Sequence, residues 1–230
     1  MQKTRLEIDR IPALVWGGKS DKVYLCVHGK MSCKESAGGI AAIAAQRGYQ
    51  TISFDLPGHG ERIGEDMRCD VWNGVRDLTA IGNYVFSNWK EVSLYACSLG
   101  AYFSLNAWQD RSFRKCLFQS PILDMEHLIR QMMGWFDISE ERLEREREID
   151  TPIDLMTWDY FQYAKEHPVR RWDPETHILF AGRDHLQSPE IVKAFAGRFA
   201  CTLTVSENSE HPFMGDGDGP IVERWLLEHL

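Results

Sequence analysis

The sequence predicts an α/β protein built on a mostly parallel central sheet flanked by helices. Short, near-continuously apolar runs recur along the chain: Val23–Val27, Thr51–Phe54, Val92–Ala96, Cys116–Phe118, Ile178–Ala181 and Thr202–Val205. Apolar runs without alternation suit strands covered on both faces. Between them lie stretches of helical period, such as Val71, Val75, Leu78, Ile81 and Val85, and alternation of the two kinds of element is the mark of a parallel sheet. The length, 230 residues, fits one domain large enough to bury its own core without disulfide or metal support.

Taken in order, Leu6 to Trp16 reads as two short strands around Arg10-Ile11-Pro12, adding an antiparallel edge to the sheet. Ser188-Pro189-Glu190 supplies a cap, a proline at the first helical position and an early acid. It opens a helix through Ile191, Val192, Phe195 and Phe199. Pro220 opens the last helix, which buries Ile221, Val222, Trp225 and Leu226. From Pro121 to Glu175, after the sixth strand, no strand is evident. Helical and aromatic clusters (Ile129, Met132, Met133, Trp135, Phe136; then Trp158, Tyr160, Phe161, Tyr163) fill the stretch instead. A crossover helix needs about a dozen residues, so the expectation is a single domain, 1–230, in which 121–175 is a crossover carrying a short helical lid. The charged run Glu140–Glu148 reads as a solvated helix face laced by i,i+4 pairs.

Composition limits function. Thirty-four acidic residues against 26 basic ones give a net charge of −8, which argues against nucleic-acid partners and against an anionic membrane surface. The N-terminal segment has no apolar core of signal-peptide length, and no run approaches about 18 apolar residues. The six cysteines form no C-x-x-C pair, and Cys26, Cys97 and Cys116 sit in apolar runs. They read as buried thiols of a cytoplasmic protein, not as a disulfide framework or a zinc site. Asp216-Gly217-Asp218-Gly219 lacks the rest of a calcium loop and reads as a connection into the last helix.

Chemistry concentrates at Leu94-Tyr95-Ala96-Cys97-Ser98-Leu99-Gly100-Ala101, where an apolar strand runs through a small–x–Ser–x–Gly turn into a helix pattern. Such a turn projects Ser98 at the strand's end beside the free N–H groups of a helix N-terminus. The segment resembles the nucleophile elbow of the α/β-hydrolases, with Ala96 in place of the usual first glycine. Four further segments carry the resemblance. His28-Gly29-Lys30-Met31 follows a strand and is similar to the family's His-Gly oxyanion loop; Asp55-Leu56-Pro57-Gly58-His59-Gly60 is similar to its D-x-P-G-x-G turn. Phe180-Ala181-Gly182-Arg183-Asp184 ends a strand in a loop with an acid, and His211 follows the last strand. The order serine, aspartate, histidine is that of the family.

The resemblance implies an α/β-hydrolase fold and a serine hydrolase of the small esterase, monoacylglycerol-lipase-like or serine-aminopeptidase-like kind. In it Ser98 is the nucleophile, His211 the base and Asp184 the orienting acid. Lys30 and Leu99 N–H groups form the oxyanion hole, with Met31 as an alternative donor. Asp124 is the alternative acid and His185 the alternative base. His28 and His59 are expected to shape their loops and not to transfer protons. The Lys30 side chain faces solvent or an anionic substrate group. No metal or organic cofactor is called for, and the expected partner is a small-molecule ester, the protein being a monomer or homodimer. Carboxylic esters are the first substrate class; thioesters and amides would use the same residues. A catalytically silent binding protein of this fold is the non-enzymatic alternative.

Overall fold

The computed structural model describes residues 1–230. Its centre is an eight-stranded sheet formed by β1 (Lys3–Ile8), β2 (Ile11–Trp16), β3 (Lys22–Val27), β4 (Gln50–Phe54), β5 (Glu91–Cys97), β6 (Cys116–Gln119), β9 (Thr176–Ala181) and β10 (Thr202–Ser206). The strand order is β1-β2-β4-β3-β5-β6-β9-β10. Only β2 runs against the rest, as the antiparallel edge expected for the N-terminal hairpin. All other neighbours are parallel.

Central strands divide their side chains between two cores. In β3, Val23, Leu25 and Val27 join a cluster of 42 buried residues, whereas Tyr24 and Cys26 join one of 15 on the other face. The smaller core is covered by α1 (Gly38–Gln46) and α8 (Asp218–His229), the larger by α2 (Val71–Asn88), α3 (Leu99–Ala107) and α7 (Pro189–Arg198). Double coverage is why these strands read as continuous apolar runs. Asp70 caps α2 and Ser188 caps α7, each accepting a backbone N–H of the first turn.

The segment between β6 and β9 holds α4 (Met125–Trp135), α5 (Glu140–Glu146), β7 (Glu148–Asp150), β8 (Leu155–Thr157) and α6 (Trp158–Glu166). The expectation that it contains no strand is corrected: β7 and β8 pair antiparallel as a separate two-stranded sheet. Strands of three residues are too short to show a period of two in sequence. Nor is the segment a detached flap. Ile129, Met133, Ile138, Leu143, Ile149, Met156, Phe161 and Trp172 belong to the larger core. No helix is long and apolar enough to cross a membrane.

Candidate active site

β5 lies between β3 and β6, and its C-terminal end delivers Ser98 into the turn before α3. Ser98 adopts φ 50°, ψ −120°, a backbone region that costs a non-glycine residue about 1–3 kcal/mol and persists only where its surroundings over-determine it. Here they do. The Ser98 N–H donates to the Gln119 carbonyl at 3.1 Å, and the Ser98 carbonyl accepts from Ala101 at 3.0 Å and Ile122 at 3.2 Å. Gly100 is required by crowding, because a Cβ there would stand 2.4 Å from the His28 carbonyl oxygen.

The loops that follow β9 and β10 converge on this serine. The Ser98 hydroxyl lies 2.8 Å from His211 Nε2, and His211 Nδ1 lies 2.7 Å from Asp184 Oδ2. The Asp184 side chain is fully buried and that of His211 is 7% exposed. Asp184 Oδ1 accepts the N–H groups of Leu186 at 2.8 Å and Gln187 at 3.2 Å, so the carboxylate is clamped on its far side. With the Nδ1 proton directed at Asp184, the Nε2 lone pair faces the serine hydroxyl, the orientation in which an imidazole can take a proton from a nucleophile.

The supporting contacts are polar and long-range. Gly182 N–H donates to Ser206 and Arg183 N–H to Ser209, which stitches the acid loop to the histidine loop. A Cβ at Gly182 would meet the Glu207 backbone at 2.7 Å, so the glycine sits where the two loops touch. Buried Gln187 accepts from the Leu123 and Asp124 N–H groups and donates to the Asp124 carbonyl. Gln119 donates to the Pro212 carbonyl at 2.8 Å and accepts from the Tyr95 hydroxyl at 2.7 Å, bracing the residue after His211. Ser209 donates to buried Asp218, which also accepts the Gly215 N–H. Asp218 thus ties the histidine loop to the start of α8, a more definite task than a flexible connection.

The alternatives are placed elsewhere. Asp124 caps α4 by accepting the His127 N–H at 2.9 Å and makes no bond to His211. His185 is exposed, its ring 6.3 Å from that of Trp135. Met31 N–H donates to His59 Nε2 at 3.0 Å and is therefore already engaged. The Lys30 N–H has no protein acceptor, and the Leu99 N–H, at the first position of α3, has none within its helix. His59 Nδ1 in turn pairs with the Pro57 carbonyl at 2.8 Å. Buried His28 bridges the Gly29 carbonyl and the Leu56 N–H, and burial pushes its pKa down to about 4. Both histidines therefore hold loops. The Lys30 ammonium does not face open solvent alone: it pairs with Asp154, in the turn between β7 and β8.

Beneath the loop after β3 lies an ionic cluster that sequence reasoning missed. Lys34 is 1% exposed and pairs with Asp55 at 2.7 Å, Glu61 at 2.7 Å and Glu35 at 3.1 Å. Asp55 also accepts the Lys34 and Glu61 N–H groups. The signal available in sequence was Asp55, the first residue of its glycine-rich turn.

Ser98 and His211 open into a cavity of about 1330 Å³ whose lining is mostly apolar. One arm runs under the 121–175 segment past Met125, Ile129, Met132, Met156 and Tyr160; another runs between α1 and α8. Nowhere do three or more His, Cys, Asp or Glu side chains converge as metal ligands would.

The sequence model of the family described as serine aminopeptidase S33 matches residues 18–145. Hydrolase acrC of Aspergillus aculeatus is 31% identical over 105 residues, which are 41% of this chain and 24% of that protein; the match thus spans about a quarter of this curated relative's length. Est1E of Butyrivibrio proteoclasticus with bound ferulic acid superposes with a TM-score of 0.79 at 16% identity, covering 98% of this chain and 96% of that one. An esterase of Pyrococcus furiosus gives 0.71 at 16% identity over 99% and 88%. A monoacylglycerol lipase of Paleococcus ferrophilus gives 0.65 at 17% identity over 100% of each chain. At such identities structural likeness speaks for the fold, while the family match, covering more than half of the sequence, speaks for descent. The chain therefore belongs to the serine aminopeptidase S33 family and has the α/β-hydrolase fold.

Proposed function

We propose that this hydrolase is a serine esterase cleaving carboxylic esters of small or medium acyl groups through an acyl-enzyme intermediate. The observation that carries the reading is the hydrogen-bonded chain from Ser98 through His211 to buried Asp184, set beside two backbone donors without protein partners. His211 takes the Ser98 proton as the serine oxygen attacks the ester carbonyl. Lys30 and Leu99 N–H groups hold the oxyanion of the tetrahedral intermediate. The imidazolium, stabilised by Asp184, protonates the departing alcohol, and water activated by the same histidine then releases the acid. One lost oxyanion donor costs on the order of 2.7–4 kcal/mol in such reactions.

Esters are favoured over peptides by the lining. An aminopeptidase needs a free carboxylate near the nucleophile to hold the substrate ammonium. That ammonium belongs to the acyl half of the substrate, where the cavity carboxylate, Asp154, is already paired with Lys30; the other, Glu223, is exposed on α8 in the groove beyond His211. In the same reading residues 1–230 act as one domain, and 121–175 is the crossover that roofs the acyl arm as a lid. The six cysteines are free thiols, which suits a cytoplasmic setting. The ferulic acid bound to Est1E makes an aryl acid one acyl group to try.

The test is a panel of p-nitrophenyl esters of rising acyl length and a feruloyl ester, run beside acyl-CoA thioesters and aminoacyl amides. Ester turnover at least tenfold above the other two classes is expected. Turnover confined to amides or thioesters would replace the esterase assignment with the corresponding one.

A further inference from the structure

The cavity is larger than one acyl group requires: binding pockets for small ligands run to about 300–1,000 Å³, against about 1330 Å³ here. Part of the lining lies beyond His211. Pro212, Phe213 and Met214 lead from the histidine into a groove between α1 and α8, with Ile43, Phe213 and Leu226 buried along it. Gly39 on α1 and Gly219 on α8 both line the cavity, and nothing stands within 4 Å of where a Cβ would be at either. From Gly39 to Gln46 the groove follows about 10 Å of helix. Arg47 donates to the Leu227 and Leu230 carbonyls, tying the far ends of the two helices together.

We infer that the α1–α8 groove is the subsite for the alcohol half of the ester, and that this half is an alkyl or aryl group carrying no negative charge. The inference rests on the esterase reading. Its argument is directional. The imidazolium must reach the leaving oxygen, so the leaving group departs on the side of His211, where this groove begins. The acyl carbon stays with Ser98 and the donors at Lys30 and Leu99, beside the arm under 121–175. Between α1 and α8 the lining contains no lysine or arginine, so nothing there compensates an anionic alcohol. The absent side chains at Gly39 and Gly219 keep the groove open.

The test is the wild-type protein, Gly39→Leu and Gly219→Leu, each assayed on acetate esters of methanol to octanol and on methyl esters of acetate to octanoate. A fully buried methylene contributes about a fourfold gain in binding, and an open groove about half of that energy. In the wild type kcat/KM should therefore rise about twofold per alcohol carbon. Each leucine should cut the octyl-to-methyl ratio about tenfold, while the slope of the acyl series stays as in the wild type. A flat alcohol series, or a steep one that neither leucine alters, would overturn the inference while leaving the esterase reading standing. Absence of any ester turnover in the wild type would remove that reading and this inference together. A flat series accompanied by a dimer in sedimentation that Gly39→Leu dissociates would give the groove to a second copy of the chain and likewise overturn the inference.

Discussion

Lys30 and Asp154 form an ion pair that joins the loop after β3 to the hairpin of the 121–175 segment. Lys30 offers its backbone N–H to the oxyanion in the proposed mechanism, so the hairpin holds one oxyanion donor by its own side chain. The hairpin is fastened at its other end by Arg68, whose guanidinium donates twice to Glu148.

The pair is partly exposed, at 36% and 50%, and such pairs contribute less than about 1 kcal/mol and are screened by salt. Asp154→Asn should lower kcat about two- to fivefold with little change in melting temperature. In the wild type 0.5 M salt should produce a similar loss, and in the variant almost none. A kcat in Asp154→Asn equal to wild type at low salt would separate the hairpin from the oxyanion loop.

Asp184 and Asp124 should differ sharply. Asp184→Asn leaves the histidine without the acceptor that fixes its tautomer, and a fall in kcat of about 10⁴ is expected from the comparable substitution in serine proteases. Asp124→Asn should keep most activity, since its carboxylate serves the α4 cap, and even loss of a cap costs only about 1 kcal/mol. Steady-state kinetics on one good ester decides between them.

Lys34 should be a stability residue. Removing one partner of a buried ion pair costs about 3–5 kcal/mol, because the remaining charge is left uncompensated. Lys34→Met should lower the unfolding free energy by that order, measured by urea titration. An unchanged midpoint would mean that the cluster is dispensable.

His28 should make stability depend on pH. Its folded pKa, about 4, lies below the ordinary imidazole value of about 6.5 because burial disfavours the charged ring. The native state therefore binds fewer protons than the unfolded chain. The stabilisation is fully present above about pH 6.5 and is lost as pH falls towards 4, amounting to on the order of 3 kcal/mol. Urea midpoints between pH 7 and 4 should show a steeper acid decline in wild type than in His28→Asn.

Much of this architecture is written locally. The apolar runs mark the strands of the main sheet because each is buried on both faces, and Ser188 and Pro189 mark the start of α7. α8 instead begins at Asp218 after Gly217, which lends no side-chain cap, and Pro220 falls within its first turn. The proposed site residues are also local, since each stands at the end of its own strand. What could not be read are pairings between distant positions. Lys30 meets a partner 124 residues away, and Lys34 is a lysine that sequence alone places in water. Gln119 and Gln187 carry no motif, yet they brace the histidine and acid loops. The β7–β8 hairpin escaped because Glu148-Ile149-Asp150 offers one apolar residue, too few for any period.

The central claim is that Ser98 is the nucleophile. Fluorophosphonate labelling followed by intact mass, with ester turnover measured on the same samples, tests it for wild type and Ser98→Ala. One adduct on wild type, none on the variant, and a loss of turnover of at least 10³ are expected. Equal labelling of the two proteins, or turnover retained in Ser98→Ala, would contradict the account.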